Sequence, residues 1–183
     1  MSNPSESNLV WMDMEMSGLD PKTCTILEIA TLVTDKDLNL IAQGPVLVIH
    51  QPEPVLAAMD DWNKEHHGKS GLITAVRESK ITLQEAEQKT MAFIALHCGP
   101  QKSPLCGNTI YQDRRFLIEY MPKLENYLHY RLVDVSTIKE LVKRWYGVEF
   151  QAPVKKQTHK ALEDILETIE ELKFYRRMVF KQP

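Results

Sequence analysis

The chain has 183 residues, is 43% apolar and 26% charged, and carries a formal net charge of −3. That length suits a single domain with a sizeable core and no need of disulfides or structural zinc, and the composition excludes collagen-like, low-complexity and generally disordered architectures. With 22 basic against 25 acidic residues, and with Arg114-Arg115, Lys155-Lys156 and Arg176-Arg177 as scattered doublets, there is no basic stripe to grip a long polyanion.

In chain order, LVWMDMEM from Leu9 is apolar on both alternating faces until Asp13, the pattern of a central strand covered on both sides. ILEIATLVT from Ile26 is a second apolar, β-branched run, DKDLNL supplies turn chemistry, and Gly44 to Ile49 leads into a third strand. These short links predict an antiparallel meander. Thr82 and Glu85 form a capping box ahead of a helix with Leu83, Ala86, Thr90 and Phe93 on one face, closed by Gly99-Pro100. PLCGN then reads as a strand ending at Gly107, Phe116 to Met121 as a helix stopped by Pro122, and RLVDV as a further strand. Thr137 and Glu140 predict a second capping box, with Ile138, Leu141, Val142 and Trp145 as that helix's stripe and Gly147 as its end. A last helix is expected from about Thr158 to Val179, with Leu162, Ile165, Ile169 and Leu172 inward. The whole is one mixed α/β domain.

No apolar run approaches the roughly 18–20 residues of a membrane span. MSNPSESNLV lacks the basic-then-apolar pattern of a secretory signal, so a cytoplasmic location is expected. Cys24, Cys98 and Cys106, without CxxC spacing, read as reduced packing thiols.

Three elements carry chemistry. Asp13 and Glu15, two apart on a strand, project from one face at the end of the row Leu9, Trp11. Two anions there repel and lose hydration, so they need cations or a proton, unless the strand end simply faces water. His159 and Asp164 are five apart; on one helix that is roughly 500°, leaving the side chains about 140° apart. The pair can converge only with His159 in the loop or first turn and Asp164 inside the helix. Asn108 and Asp113 lie at a strand–helix junction, where open α/β sheets place ligand-binding residues, though Asp there is also an ordinary cap. Singly, each has a bland structural reading. Together they supply four carboxylates, suited to two hard divalent cations, and an imidazole able to deprotonate a water, which is the equipment of phosphodiester hydrolysis.

In this order Asp13, Glu15, Asp113, His159 and Asp164 resemble the DEDDh-type 3′-to-5′ exonucleases. LVWMDMEMSGLDP, ILEIATLVTD, MDDWN, CGNTIYQDRRFL and HYRLVDVSTIKEL resemble the oligoribonuclease family within them, over nearly the whole chain. The resemblance implies a ribonuclease H-like α/β fold, a five-stranded mixed sheet flanked by helices, as one exonuclease domain over residues 8–179 with 1–7 and 180–183 as tails. It implies a homodimer, two Mg2+ or Mn2+ ions per active site held by Asp13, Glu15, Asp113 and Asp164, and release of 5′-mononucleotides from RNAs a few residues long. Thr109 stands where Ser is common in the family and keeps the hydroxyl.

For short substrates, Leu19 is a candidate wedge against a base and Trp62 a candidate stacking platform, a contact contributing roughly 1–3 kcal/mol per base. His66, four residues after Trp62, is a candidate phosphate contact, and Asn108 and Thr109 are candidates at the strand–helix junction. By the resemblance, residues 129–136 reach the neighbouring subunit's site, where Arg131 and Ser136 meet the substrate's terminal phosphate and Tyr130 acts as an active-site residue. In isolation, Tyr130 and Arg131 simply flank a strand. Two other readings remain open at this level: a proofreading or trimming exonuclease on longer RNA or DNA, and a non-catalytic dimer that only binds nucleic acid.

Overall fold

Leu9–Met16 (β1) lies at the centre of a six-stranded mixed sheet, as its unbroken apolar run requires. The computed structural model describes residues 5–152 and 160–181. Ile26–Thr34 (β2) pairs antiparallel with β1, and Leu40–Gln43 (β3) antiparallel with β2, giving the expected meander. Pro104–Gly107 (β5) and His129–Asp134 (β6) run parallel to β1 on its other side, for an order β3-β2-β1-β5-β6.

The sixth strand is Leu47–Val48 (β4), which pairs with Glu28 and Ile29 of β2 while β3 pairs with residues 32–34. The two pieces form one interrupted edge position, so the sheet has five positions across and six strands. Gly44 and Pro45 make the interruption. A Cβ at residue 44 would lie 2.7 Å from the Phe93 ring, and Pro45 has no N–H to give the ladder.

The helices cover both faces. Val10, Met12 and Met14 pack with Leu83–Ala95 (α4), Tyr111–Tyr120 (α5) and Pro122–Tyr127 (α6), through Ile94, Phe116, Leu117 and Leu124. Trp11, Ala30, Leu32 and Cys106 pack with Val135–Trp145 (α7) and Ala161–Met178 (α8), through Val142, Ile165, Ile169 and Leu172. The odd residues of β1 therefore face α8, which puts Asp13 and Glu15 on the same side as that helix. Trp11 is wholly buried, its indole N–H donating to Thr34 Oγ1 at 2.9 Å. Three short helices, Glu53–Ala58 (α1), Asp61–Lys69 (α2) and Leu72–Glu78 (α3), close the end of β2 around Leu27.

The capping box at Thr82 forms as expected, each partner bonding the other's backbone. The one at Thr137 does not. Asp134 caps α7 by accepting the Ser136 N–H at 3.0 Å, so the helix starts earlier and Thr137 is already inside it. The inward line becomes Val135, Ile138 and Val142, while Leu141 and Trp145 are exposed. The three thiols are free, with Cys98 and Cys106 buried. No helix among the described residues is long and apolar enough to cross a membrane.

Candidate active site

The site is built at the end of β1. Asp13 and Glu15 share one face there, and α8 brings Asp164 over them from its first turn. Carboxylate oxygens of these three residues lie within 4.8 Å of one another. Glu28 stands directly opposite Glu15 across the β1–β2 pair. Burial, then the charges of Asp13, Asp164 and Glu28, push the Glu15 carboxyl up to about 8. Such a cluster is a source of repulsion that a bound cation would relieve.

Asp113 joins from the other side of β1. It sits in the first turn of α5, is almost fully buried, and its Oδ1 accepts the Met14 N–H at 3.0 Å. Burial first and the charge of Asp13 second push its carboxyl well above the usual carboxylate range. The four acids expected from the sequence thus meet around residues 13–15. His159 lies outside the described residues.

At the rim, Leu19 is 75% exposed in the turn after β1, and its carbonyl accepts from Gln112 Nε2 and Arg115 Nη1 of α5. Gly18 is needed beside it, because a Cβ would fall 2.5 Å from Cys24 Sγ. Trp62 is 60% exposed on α2 and stacks on His66, ring centroids 4.0 Å apart. The adjoining face of that helix, about 100° round, carries Asn63 and His67, both buried. His67 Nε2–H donates to the Met16 carbonyl at 2.9 Å, and its Nδ1 is 3.9 Å from Glu15 Oε2. Among the described residues, His67 is thus a histidine beside the acids. His66, expected as a phosphate contact, is on the Trp62 face, and His67 beside Glu15 is a residue that the sequence pattern does not single out, because the burial of its face is a tertiary fact.

Asn108 and Thr109 sit where β5 ends. Asn108 Nδ2 donates to Thr168 Oγ1 at 2.9 Å and to Glu171 Oε2 at 3.2 Å, while its Oδ1 accepts from Ser136 Oγ at 3.1 Å. Both ends of the amide are thus engaged in bracing α8 and α7. Thr109 is held at φ 52°, a left-handed backbone rare for a β-branched residue, and its N–H donates to Asp134 Oδ1 and Ser136 Oγ, each at 3.0 Å. Thr109 Oγ1 and Ser136 Oγ are 3.2 Å apart at the same sheet end as Asp13.

Tyr130 and Arg131 are elsewhere. The β5–β6 register jumps from Pro104↔His129 to Leu105↔Leu132, so these two residues form a bulge on the edge strand. Tyr130 is 68% exposed. Strand rise and spacing put the bulge roughly 15 Å from Asp13 of the same chain.

Comparison with known proteins agrees with this geometry. The family model described as Exonuclease, RNase_T, matches residues 10–172. The oligoribonuclease of Shewanella loihica is 57% identical over 176 residues, covering 96% of this chain and 97% of that protein. The oligoribonuclease of Shewanella baltica is 60% identical over 176 residues, with the same coverage. The chain belongs to the oligoribonuclease family of exonucleases. Among solved structures, exonuclease I from Methylocaldum szegediense superposes with a TM-score of 0.70 at 18% identity, and E. coli exonuclease I in complex with a dA16 oligonucleotide with 0.72 at 14%. Those similarities show the shared fold. Each covers 94% of this chain but 41% of the other, so the chain spans about two fifths of the length of those enzymes.

Oxygen-only ligands crowded at one strand end suit hard divalent ions. In an exonuclease fold that chemistry is phosphodiester hydrolysis.

Proposed function

We propose that this chain hydrolyses very short RNAs from the 3′ end to 5′-mononucleotides, using two Mg2+ or Mn2+ ions held by Asp13, Glu15, Asp113 and Asp164. The observation that carries this is the cluster of Asp13, Glu15 and Asp164 within 4.8 Å, with Asp113 bonded to the Met14 amide between the first two and Glu15 pushed up to about 8 by burial and its acidic neighbours. The fit is one of charge as well as geometry, since two divalent ions add four positive charges to a chain of formal charge −3. When bound, the ions supply the electrostatic clamp on the attacking and leaving oxygens of an in-line displacement.

The protein's own groups do the rest. His159 takes the proton of the attacking water. Asp113 keeps one oxygen on the Met14 amide, which fixes the direction of the other. His67, bonded to Met16, holds its second ring nitrogen toward Glu15. Leu19 wedges and Trp62 stacks against bases, with His66 supporting the Trp62 ring at 4.0 Å. Thr109 and Ser136 present hydroxyls toward the terminal phosphate.

Tyr130 and Arg131 complete the substrate site across a homodimer. Support comes from their exposure on an edge-strand bulge away from their own carboxylates. Contacts at both ends of a short substrate, together with the lack of a basic track, limit its length. The chain acts in the cytoplasm. Incubation of a 5′-phosphorylated diribonucleotide with the protein and Mg2+ or Mn2+ tests the proposal. Complete conversion to 5′-mononucleotides is expected, and an intact dinucleotide would refute it.

A further inference from the structure

The bulge that presents Tyr130 and Arg131 is held from behind by the residue next to Asp113. Arg114 donates Nε and Nη2 to Glu125 Oε1 at 3.0 and 2.6 Å, and Nη1 to the carbonyl of Tyr130. The Arg114 and Glu125 side chains are only 22% and 17% exposed, so this is not a loose surface pair. A pocket of about 400 Å3 adjoins the bulge, lined by Arg114, Glu125, Leu128, His129 and Tyr130 among others. Close packing therefore does not support the bulge on that side, and the guanidinium bonds do.

The bulge itself is preorganised. The Arg131 N–H donates to His129 Nδ1 at 3.1 Å, the His129 and Tyr130 rings stack at 4.5 Å, and the Arg131 guanidinium carbon lies 5.4 Å from the Tyr130 ring centre. Consecutive residues of α5 thus serve different places. Asp113 turns to its own chain's carboxylates, and Arg114 to a block roughly 15 Å from them by strand geometry.

We propose that Arg114 is a positioning residue for the substrate contacts of Tyr130 and Arg131, acting on the partner subunit's site and not on the Asp113 beside it. This rests on the cross-dimer reading under Proposed function. Lysine keeps the charge but cannot reproduce a fork that spans Glu125 and a backbone carbonyl.

The test is steady-state hydrolysis of a 5′-phosphorylated diribonucleotide by the full-length protein. Arg114→Lys is expected to raise KM about tenfold with kcat within about twofold. Glu125→Gln should shift KM the same way, which keeps the proposal open to test if one variant folds poorly. Arg114→Lys protein is then combined with Asp13→Ala protein under conditions of subunit exchange. Heterodimers join the intact carboxylates of one chain to the intact bulge of the other, so at substrate well below KM an equimolar mixture should reach about a quarter of wild-type specific activity, where unmixed Arg114→Lys protein gives about a tenth. A loss confined to kcat that mixing does not repair would overturn the proposal, because Arg114 would then act on its own carboxylates. Mixing Tyr130→Ala with Asp13→Ala separates the two levels. Recovery there but not with Arg114→Lys overturns the Arg114 assignment alone, and no recovery in either mixture overturns the cross-dimer reading and this proposal with it.

Discussion

Asp113 Oδ1 accepts the backbone N–H of Met14 at 3.0 Å, a bond that ties the first turn of α5 to the amide lying between Asp13 and Glu15. It holds three acids from two elements, Asp13, Glu15 and Asp113, in register while adding to their mutual repulsion. The Glu15 and Asp113 carboxyls are both displaced upward, by burial first and by that repulsion second. Function and stability therefore oppose each other at this strand end.

Replacing Asp113 by Asn separates the two. Asn keeps an oxygen for the Met14 amide and removes the charge. Turnover should fall at least about a hundredfold, since loss of a transition-state electrostatic contact is worth roughly 3 kcal/mol or more. The metal-free unfolding temperature should stay the same or rise. Activity assays beside thermal unfolding in EDTA check both, and retained hydrolysis would remove Asp113 from the site.

The raised carboxyl of Glu15 sets a pH dependence. Its ordinary value is 4.5 and its folded value about 8, so between those limits the folded state binds the proton more strongly than the unfolded state. That contribution to stability is complete below about pH 4.5 and is lost as pH rises toward 8. Unfolding followed in EDTA from pH 5 to 9 should show this decline, and Mn2+ should raise the midpoint most at the alkaline end. A midpoint shift by Mn2+ that is largest at pH 5 would contradict the account.

Trp62→Ala removes an exposed ring and should leave the fold intact. A stacking contact worth roughly 1–3 kcal/mol predicts a rise in KM of about fivefold to a hundredfold for any base sequence. Kinetics on several dinucleotides would show it, and an effect restricted to one base would argue for a different role.

Asn108→Ala acts through packing. It leaves Ser136 Oγ, Thr168 Oγ1 and the buried Glu171 each without one bond seen here, at a cost of about 1–3 kcal/mol. The unfolding midpoint should drop, and half-maximal activation should need more Mn2+, because α8 carries Asp164. Unchanged metal dependence would separate Asn108 from the placement of α8.

Much of this architecture was legible in residue patterns. The apolar run around Trp11 announced the central strand, and Asp13 with Glu15 two apart announced a shared face. What stayed hidden had local causes. Helix α2 is polar and only nine residues long, so no apolar stripe marked it, and its cap, Asp60 bonding Asn63, was the one signal. The place of His67 beside Glu15 turns on which face of that helix is buried, a tertiary fact. The Thr137 box failed because Asp134, three residues earlier, is the better-placed cap. The bulge at Tyr130 and Arg131 comes from pairing register, which no single strand's pattern encodes.

The central claim is specialisation for very short RNA, and rates on 5′-labelled RNAs of two to twenty nucleotides, measured with Mg2+ at matched concentrations, test it most directly. The account predicts the highest kcat/KM for dinucleotides and a steep fall beyond a few residues. A 20-mer digested as fast as, or faster than, a dinucleotide would contradict it.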